Sequence, residues 1–174
     1  MPFSLAEPGT ASAAQTVCAI GSGSVYETAA RVLDYQPQII TSRPAGLEDI
    51  YQNIRTIGRA TYVSDRADGL VRSLRSRVEW VKAGLKDIEQ PQKVFFIDWL
   101  SPLRNTGQWT PELVELAGGV EGLAEKGGQT REVGWQEVLD YQPDYVMVMP
   151  CAFDLERGGQ EARDHLSSTP EWPA

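Results

Sequence analysis

The chain has 174 residues, 41% of them hydrophobic, with 24 acidic against 16 basic side chains and a formal net charge of −8. That size and apolar content support one sizeable core or two small ones and exclude a disordered or fibrous chain. The acidic balance excludes an electrostatic footprint for nucleic acid or an anionic membrane, which leaves small molecules and other proteins as partners.

Residues 1–15 are rich in small residues, Pro and Gly; they lack the basic and apolar regions of a secretory signal and read as a disordered tail. No apolar run is long enough to cross a bilayer. Thr16 to Ile20 (TVCAI) predicts a short buried strand, followed by a Gly21–Ser24 turn and a helix with Val25, Ala29, Val32 and Leu33 on its apolar side. Glycines in such a turn let a backbone approach phosphate at a helix N-terminus, but Tyr26 stands where the dinucleotide-binding fingerprint requires glycine. Ser24 and Glu27 form a capping box that accounts for the turn without any ligand.

Gln38 to Thr41 (QIIT) predicts a second strand. Pro44 and Gly46 then open a helix whose apolar residues Leu47, Ile50, Ile54 and Ile57 follow helical spacing, and Gly58 interrupts it. With Ser64 as N-cap, the rhythm resumes over Ala67, Leu70, Leu74, Val78, Val81, Leu85 and Ile88. The rod from Asp65 to Ile88 would extend roughly 36 Å, long for a small α/β domain, and its stripe suits a core-facing helix better than a coiled coil.

Beyond Pro91, Lys93 to Leu100 (KVFFIDWL) and Asp144 to Pro150 (DYVMVMP) are near-continuous apolar runs, the pattern of parallel strands buried on both faces. Two helices lie between them. One runs from Pro111 to Ala117, with Thr110 as N-cap and Gly118-Gly119 as its stop; the other spans about Gly134 to Tyr141 and ends before Pro143. The order is a βαβ piece, a long helical connector and a second α/β piece.

In open parallel sheets, ligands bind beyond the carboxyl ends of the strands. Two loops occupy that position. Asp98–Leu103 through Gly107–Trp109 brings Trp99, Pro102 and Trp109 to the mouth of the second sheet, and aromatic faces with one polar handle suit a large, flat, amphipathic ligand. The competing reading makes one indole core and the other a lid on its own loop. The second loop, Pro150-Cys151-Ala152-Phe153-Asp154, follows the last strand. Trp99, Pro102, Trp109, Pro150, Cys151 and Phe153 are therefore the candidate ligand-binding residues.

Catalysis is not expected. Cys151 as a nucleophile needs a base, and the one histidine, His165, lies 14 positions further on in a polar segment. Cys18 and Cys151 are too far apart in sequence for a CxxC motif and with His165 cannot close a zinc site; each reads as a small buried apolar side chain, with a disulfide between them left open. Cobalt ligation by His165 is set against Arg163, Asp164, Ser167 and Ser168, which mark a solvated helix end, so no metal site is assigned. Glu48-Asp49, and Glu112 with Glu115, read as helical surface and first-turn charges.

In their order these features resemble the cobalamin-binding branch of the class III substrate-binding proteins of ABC importers, which is related to the iron-siderophore binders. That family carries a strand ending in Trp-x-x-Pro, a G-x-W-x-P-E-L turn, A-G-G, a later Trp-led helix, and a P-D strand ending in P-C-G-F. The counterparts here are Trp99 to Pro102, then Gly107, Trp109, Pro111-Glu112-Leu113, Ala117-Gly118-Gly119, Trp135, Pro143-Asp144 and Pro150-Cys151. TVCAI resembles its V-C-A-V segment, and Leu47-Glu48-Asp49-Ile50 through Ile57-Gly58 resembles the start of its connector, so the likeness covers about residues 16–174. Ala152 departs from the family glycine. Further first-lobe strands upstream, and a last strand and helix beyond Pro170–Trp172, have no counterpart.

The resemblance implies an α/β fold of two Rossmann-like lobes joined by a long connecting helix, with the first lobe incomplete and the second lacking its last strand and helix. Residues 1–15 would be the tail, 16–45 a partial first lobe, 46–90 the connector and 91–174 the second lobe. It implies the substrate-binding component of an ABC transporter, capturing cobalamin or a related large planar metal chelate as cargo, with no covalently bound cofactor. The alternative is a truncated or split-gene remnant with little binding of its own. The implied partners are a corrinoid or siderophore-like ligand and an ABC permease, without nucleic acid. The implied location is periplasmic or extracytoplasmic, although the chain carries no signal peptide.

Overall fold

The computed structural model describes residues 16–20, 38–86 and 90–170. The expected tail, and the Gly21–Ser24 turn with its capping box and helix, lie outside these residues.

Strand β1 (Thr16–Ile20) and strand β2 (Gln38–Ser42) pair in parallel, from Thr16 opposite Gln38 to Ile20 opposite Ser42. Both strands stand where the apolar runs predict them.

The connector is a pair of helices, α1 (Leu47–Ala60) and α2 (Ser64–Gly84). Gly58 does not interrupt α1, contrary to expectation. It is buried at the crossing with α2, where an added Cβ would lie 2.3 Å from the Cβ of Ala67. The glycine is there to let two backbones approach, and α1 continues past it to Ala60. A left-handed Tyr62, φ 59°, then turns the chain, and the Val63 amide donates to the Gly58 carbonyl at 2.8 Å. Because the Val63 carbonyl already accepts from Ala67 at 3.0 Å, Val63 is the N-cap of α2 and Ser64 its first residue, one position earlier than the sequence suggests. The 21 residues of α2 extend roughly 32 Å. It stops at Gly84, where the Leu85 amide reaches back only three residues, to the Lys82 carbonyl; Ile88, the end read from the sequence, lies outside the described residues. Arg55 and Asp68 tie the pair at 2.9 Å, and Arg75 both pairs with Glu48 and stacks 4.9 Å over the Tyr51 ring.

The remaining elements are β3 (Lys93–Leu100), β4 (Leu103–Asn105), α3 (Thr110–Leu116), β5 (Val120–Glu121), α4 (Trp135–Tyr141), β6 (Tyr145–Val148) and α5 (Leu155–Ser167). Strand β3 is central. One edge pairs in parallel with β6, Val94 opposite Tyr145 through Ile97 opposite Val148. The other carries β5 in parallel at its start and β4 antiparallel at its end. Strand β4 was not predicted; it closes a hairpin within the stretch read as a loop. Helix α3 begins at Thr110 with Trp109 as N-cap, one residue earlier than expected, and Pro111 remains in its first turn.

Alternation along β3 divides its side chains. Phe95 and Ile97 are fully buried at 0% exposure and pack with Leu103, Val133 and Val138, with Val146 and Val148 joining from β6. The expectation that both strands are buried on both faces holds less well for β6: Tyr145 is 57% exposed and Met147 48%. Helix α3 reaches β3 and β5 on that face and leaves the β6 side chains open.

The crossing at Gly58 gives the first test. Gly58→Ala gains about 1 kcal/mol of helix propensity but forces α1 from α2. Urea unfolding should show a net loss of about 1–2 kcal/mol; a net gain would mean that the two helices do not cross this closely.

Candidate ligand-binding site

The mouth of the second sheet is made where β3 and β6 end. Ladder bonds continue past β6, from the Met149 amide to the Ile97 carbonyl at 3.0 Å and from the Cys151 amide to the Asp98 carbonyl at 3.4 Å. These hold the Pro150–Asp154 loop against the end of β3. Opposite β4 the register shifts between Ile97 and Trp99. Such a bulge re-aims the side chains that follow it. Strict alternation would put Trp99 on the core face with Phe95 and Ile97; instead it is 39% exposed, with its indole Nε1 donating to the Ser101 carbonyl at 3.0 Å.

Phe153 meets Trp99 edge to face, ring centres 5.6 Å apart at 61°. The Arg157 guanidinium lies 3.7 Å over the centre of the same Phe153 ring. Asp154 caps α5 by accepting from the Arg157 amide at 2.8 Å. Pro102 is exposed at the hairpin tip, where the Ser101–Pro102 peptide is cis. Pro150 is buried, and Cys151 is an exposed free thiol. Ala152 has φ 65°, in the left-handed region that glycine favours.

Trp109 goes elsewhere. It is half-buried and lines a groove of about 470 Å³ on the open face of the sheet, with Val94, Phe96, Leu113, Met147 and Met149. The two indoles, expected together at one mouth, thus line two surfaces that adjoin through Met149 and Pro150. The cause is local. The Gln108 amide donates to the Gly128 carbonyl at 2.7 Å, and the Gly127 amide to the Gln108 carbonyl at 2.9 Å. Gly107 passes so close that a Cβ would lie 2.6 Å from that Gly128 oxygen. Pinned there, the chain swings into α3 and carries Trp109 to the sheet face.

Two polar residues support this frame, and neither stood out in the sequence. Buried Asn105 donates from Nδ2 to the Leu123 carbonyl at 2.6 Å and accepts on Oδ1 from the Arg131 amide at 2.7 Å. Buried Glu121 accepts from the Phe96 amide at 3.0 Å and the Leu123 amide at 3.1 Å. Burial pushes its carboxyl above the ordinary value, against the pull of those two bonds. At the mouth, partial burial also raises Asp98, opposed by the nearby Arg104 charge.

His165 sits in the last turn of α5, 3.6 Å from Glu161. The helix carries it roughly 15 Å from the end near Cys151, so the thiol and the imidazole do not form a pair. Among the described residues, no group of three or more His, Cys, Asp or Glu side chains is arranged to hold a metal ion, and no helix is long and apolar enough to cross a membrane.

The folded Glu121 carboxyl binds its proton more tightly than the unfolded one. Its contribution to stability is therefore fully present below the ordinary glutamate value of 4.5 and is lost as pH rises through the raised one. Melting temperatures of the wild type and Glu121→Gln, followed upward from pH about 4, should show the wild type losing more stability than the variant; parallel curves would contradict the shift. Ala152→Gly should stabilise by about 0.5–1 kcal/mol in urea unfolding, since relief of the left-handed strain exceeds glycine's entropy cost.

A family model described as periplasmic binding protein matches residues 26–174. Solved structures share the fold. The periplasmic vitamin B12 binding protein BtuF of Vibrio cholerae is 21% identical with a TM-score of 0.59, covering 76% of this chain and 52% of its own. The periplasmic heme-binding protein RhuT from Roseiflexus sp. RS-1 is 19% identical with a TM-score of 0.58, covering 74% and 52%. An ABC-type Fe3+-hydroxamate transport protein from Saccharomonospora viridis is 19% identical with a TM-score of 0.64, covering 84% and 54%. The chain spans about half the length of these proteins. No curated protein sequence matches it. With the family model covering most of its length, and with its fold shared by these structures, the chain belongs to the periplasmic binding protein family.

Proposed function

We propose that the chain is the substrate-binding component of an ABC importer, and that the rim around Trp99 and Phe153 receives a large planar metal chelate. Cobalamin is the ligand the sequence resemblance favours; a heme is similarly broad and flat, and a siderophore complex, a rounder octahedral chelate, is the other cargo class of the solved relatives. The observation that carries this reading is the edge-to-face Trp99–Phe153 pair, placed by the β3 bulge and the β6 loop at the carboxyl ends of parallel strands, where open α/β sheets take their ligands. Pro102 and Cys151 are exposed on the same rim, and Pro150 anchors it from beneath. Trp109 would then bound the site from the adjoining groove. Binding is the whole activity: the loaded protein would dock on a membrane permease outside the cytoplasm, and no bond is made or broken in the cargo.

A second reading, a chain with little binding of its own, is favoured by its span of about half its solved relatives, because enclosure between two lobes supplies much of a ligand's buried contact. Calorimetric titration with cyanocobalamin, ferric protoporphyrin IX and ferrichrome separates the two. One of the three should bind, and Trp99→Ala should weaken that binding roughly tenfold or more through lost aromatic contact, with a smaller effect from Trp109→Ala. Absence of heat with all three at high micromolar concentration, together with oligomers in light scattering, would favour the second reading.

A further inference from the structure

We infer that Arg157 is a specificity-determining residue of the rim, selecting ligands whose periphery carries ionised carboxylates; the inference rests on the binding role proposed above. Its guanidinium stands 3.7 Å over the Phe153 ring, and that ring is packed edge to face on Trp99. A guanidinium seated over a ring face is held by its charge and need not spend its N–H donors on that contact. Among the described residues those donors make no hydrogen bond. The Glu161 carboxylate lies 3.9 Å from Nε with both side chains exposed, an arrangement worth little in water. Asp154, the other acidic neighbour in position to compete, is committed to the Arg157 backbone amide as the cap of α5. The result is a fork of donors seated over the Phe153 ring, at the edge of a surface suited to a flat ligand.

Planar geometry matches such a fork to a carboxylate, with two parallel charge-assisted bonds. A macrocycle with ionised side-chain carboxylates can lay its ring against Trp99 and place a carboxylate on Arg157. A ring bearing neutral carboxamides offers the fork only single, weaker acceptors. The rim therefore discriminates by peripheral charge among ligands of similar breadth, and among the proposed cargoes it favours a heme, with its ionised propionates, over the carboxamide-edged cobalamin to which the sequence resemblance alone points.

The test is an absorbance titration of the whole chain with ferric protoporphyrin IX and with its dimethyl ester in the same mixed solvent, and with cyanocobalamin, whose periphery is carboxamide. The diacid should bind more tightly than the diester by roughly tenfold, and the difference should shrink as salt rises. Arg157→Gln should lose most of that preference, its affinity for the diacid falling further than its affinity for the diester, and Arg157→Lys should recover part of it. Equal affinity of wild type and Arg157→Gln for the diacid would overturn the inference and leave the binding role standing. Binding of none of the three probes to the wild type would remove the binding role, and this inference with it.

Discussion

Strand β3 is paired on both edges, and the carboxy-terminal half is built outward from that pairing. One edge is served continuously by β6. The other is served by two short strands, β5 at its start and β4 at its end, with a gap between. In a buried strand a gap leaves an amide without a partner, at a cost of about 1–3 kcal/mol. The Glu121 carboxylate fills it by accepting from Phe96 and, with its second oxygen, from Leu123. A side chain thus stands in for a missing stretch of backbone. The desolvated carboxyl is tolerated because two amides are aimed at it.

The same pairing decides what the mouth presents. The shift in register opposite β4 takes Trp99 out of the core face, and the two ladder bonds after β6 bring Phe153 to meet it. Both aromatic rings are therefore placed by backbone hydrogen bonds to one strand instead of by loops free to move apart. Arg157 inherits this order through the Asp154 cap, since the first turn of α5 starts where the Phe153 loop ends. Preorganisation of this kind lowers the ordering cost of binding.

Much of this fold was legible in the sequence because its signals are periodic or local. The apolar runs at β1, β2, β3 and β6, the helical stripe of the connector, and the Pro and Gly stops around α3 all act within a few residues. The failures share one cause, which is contact at long range. Gly58 reads as a helix breaker until Ala67 is seen against it. The bulge beside Trp99 is set by a hairpin partner that no run of residues announces. Trp109 parts from Trp99 because Gly107 and Gln108 are pinned to Gly127 and Gly128, some twenty residues away. Glu121, Asn105 and Arg157 are ordinary polar residues in sequence. Only their partners give them roles.

How the connector joins this half follows from one polar contact. The Leu47 amide, at the first residue of α1, donates to the Glu112 carboxylate of α3 at 2.7 Å. Gly46 leaves room for it: a Cβ there would lie 2.6 Å from the same carboxylate oxygen. Helix α1 thus lacks a cap from its own chain neighbour and takes one from the second sheet's helix, where a negative group also meets the favourable end of its dipole. Lys126, 4.0 Å from Glu112 and 3.2 Å from Glu115, leans over this junction. Around this bond, Leu47 and Ile50 of α1, Leu74 and Val78 of α2 and Leu113 and Leu116 of α3 line an apolar groove of about 420 Å³, so the capping bond is the close contact by which α1 meets α3.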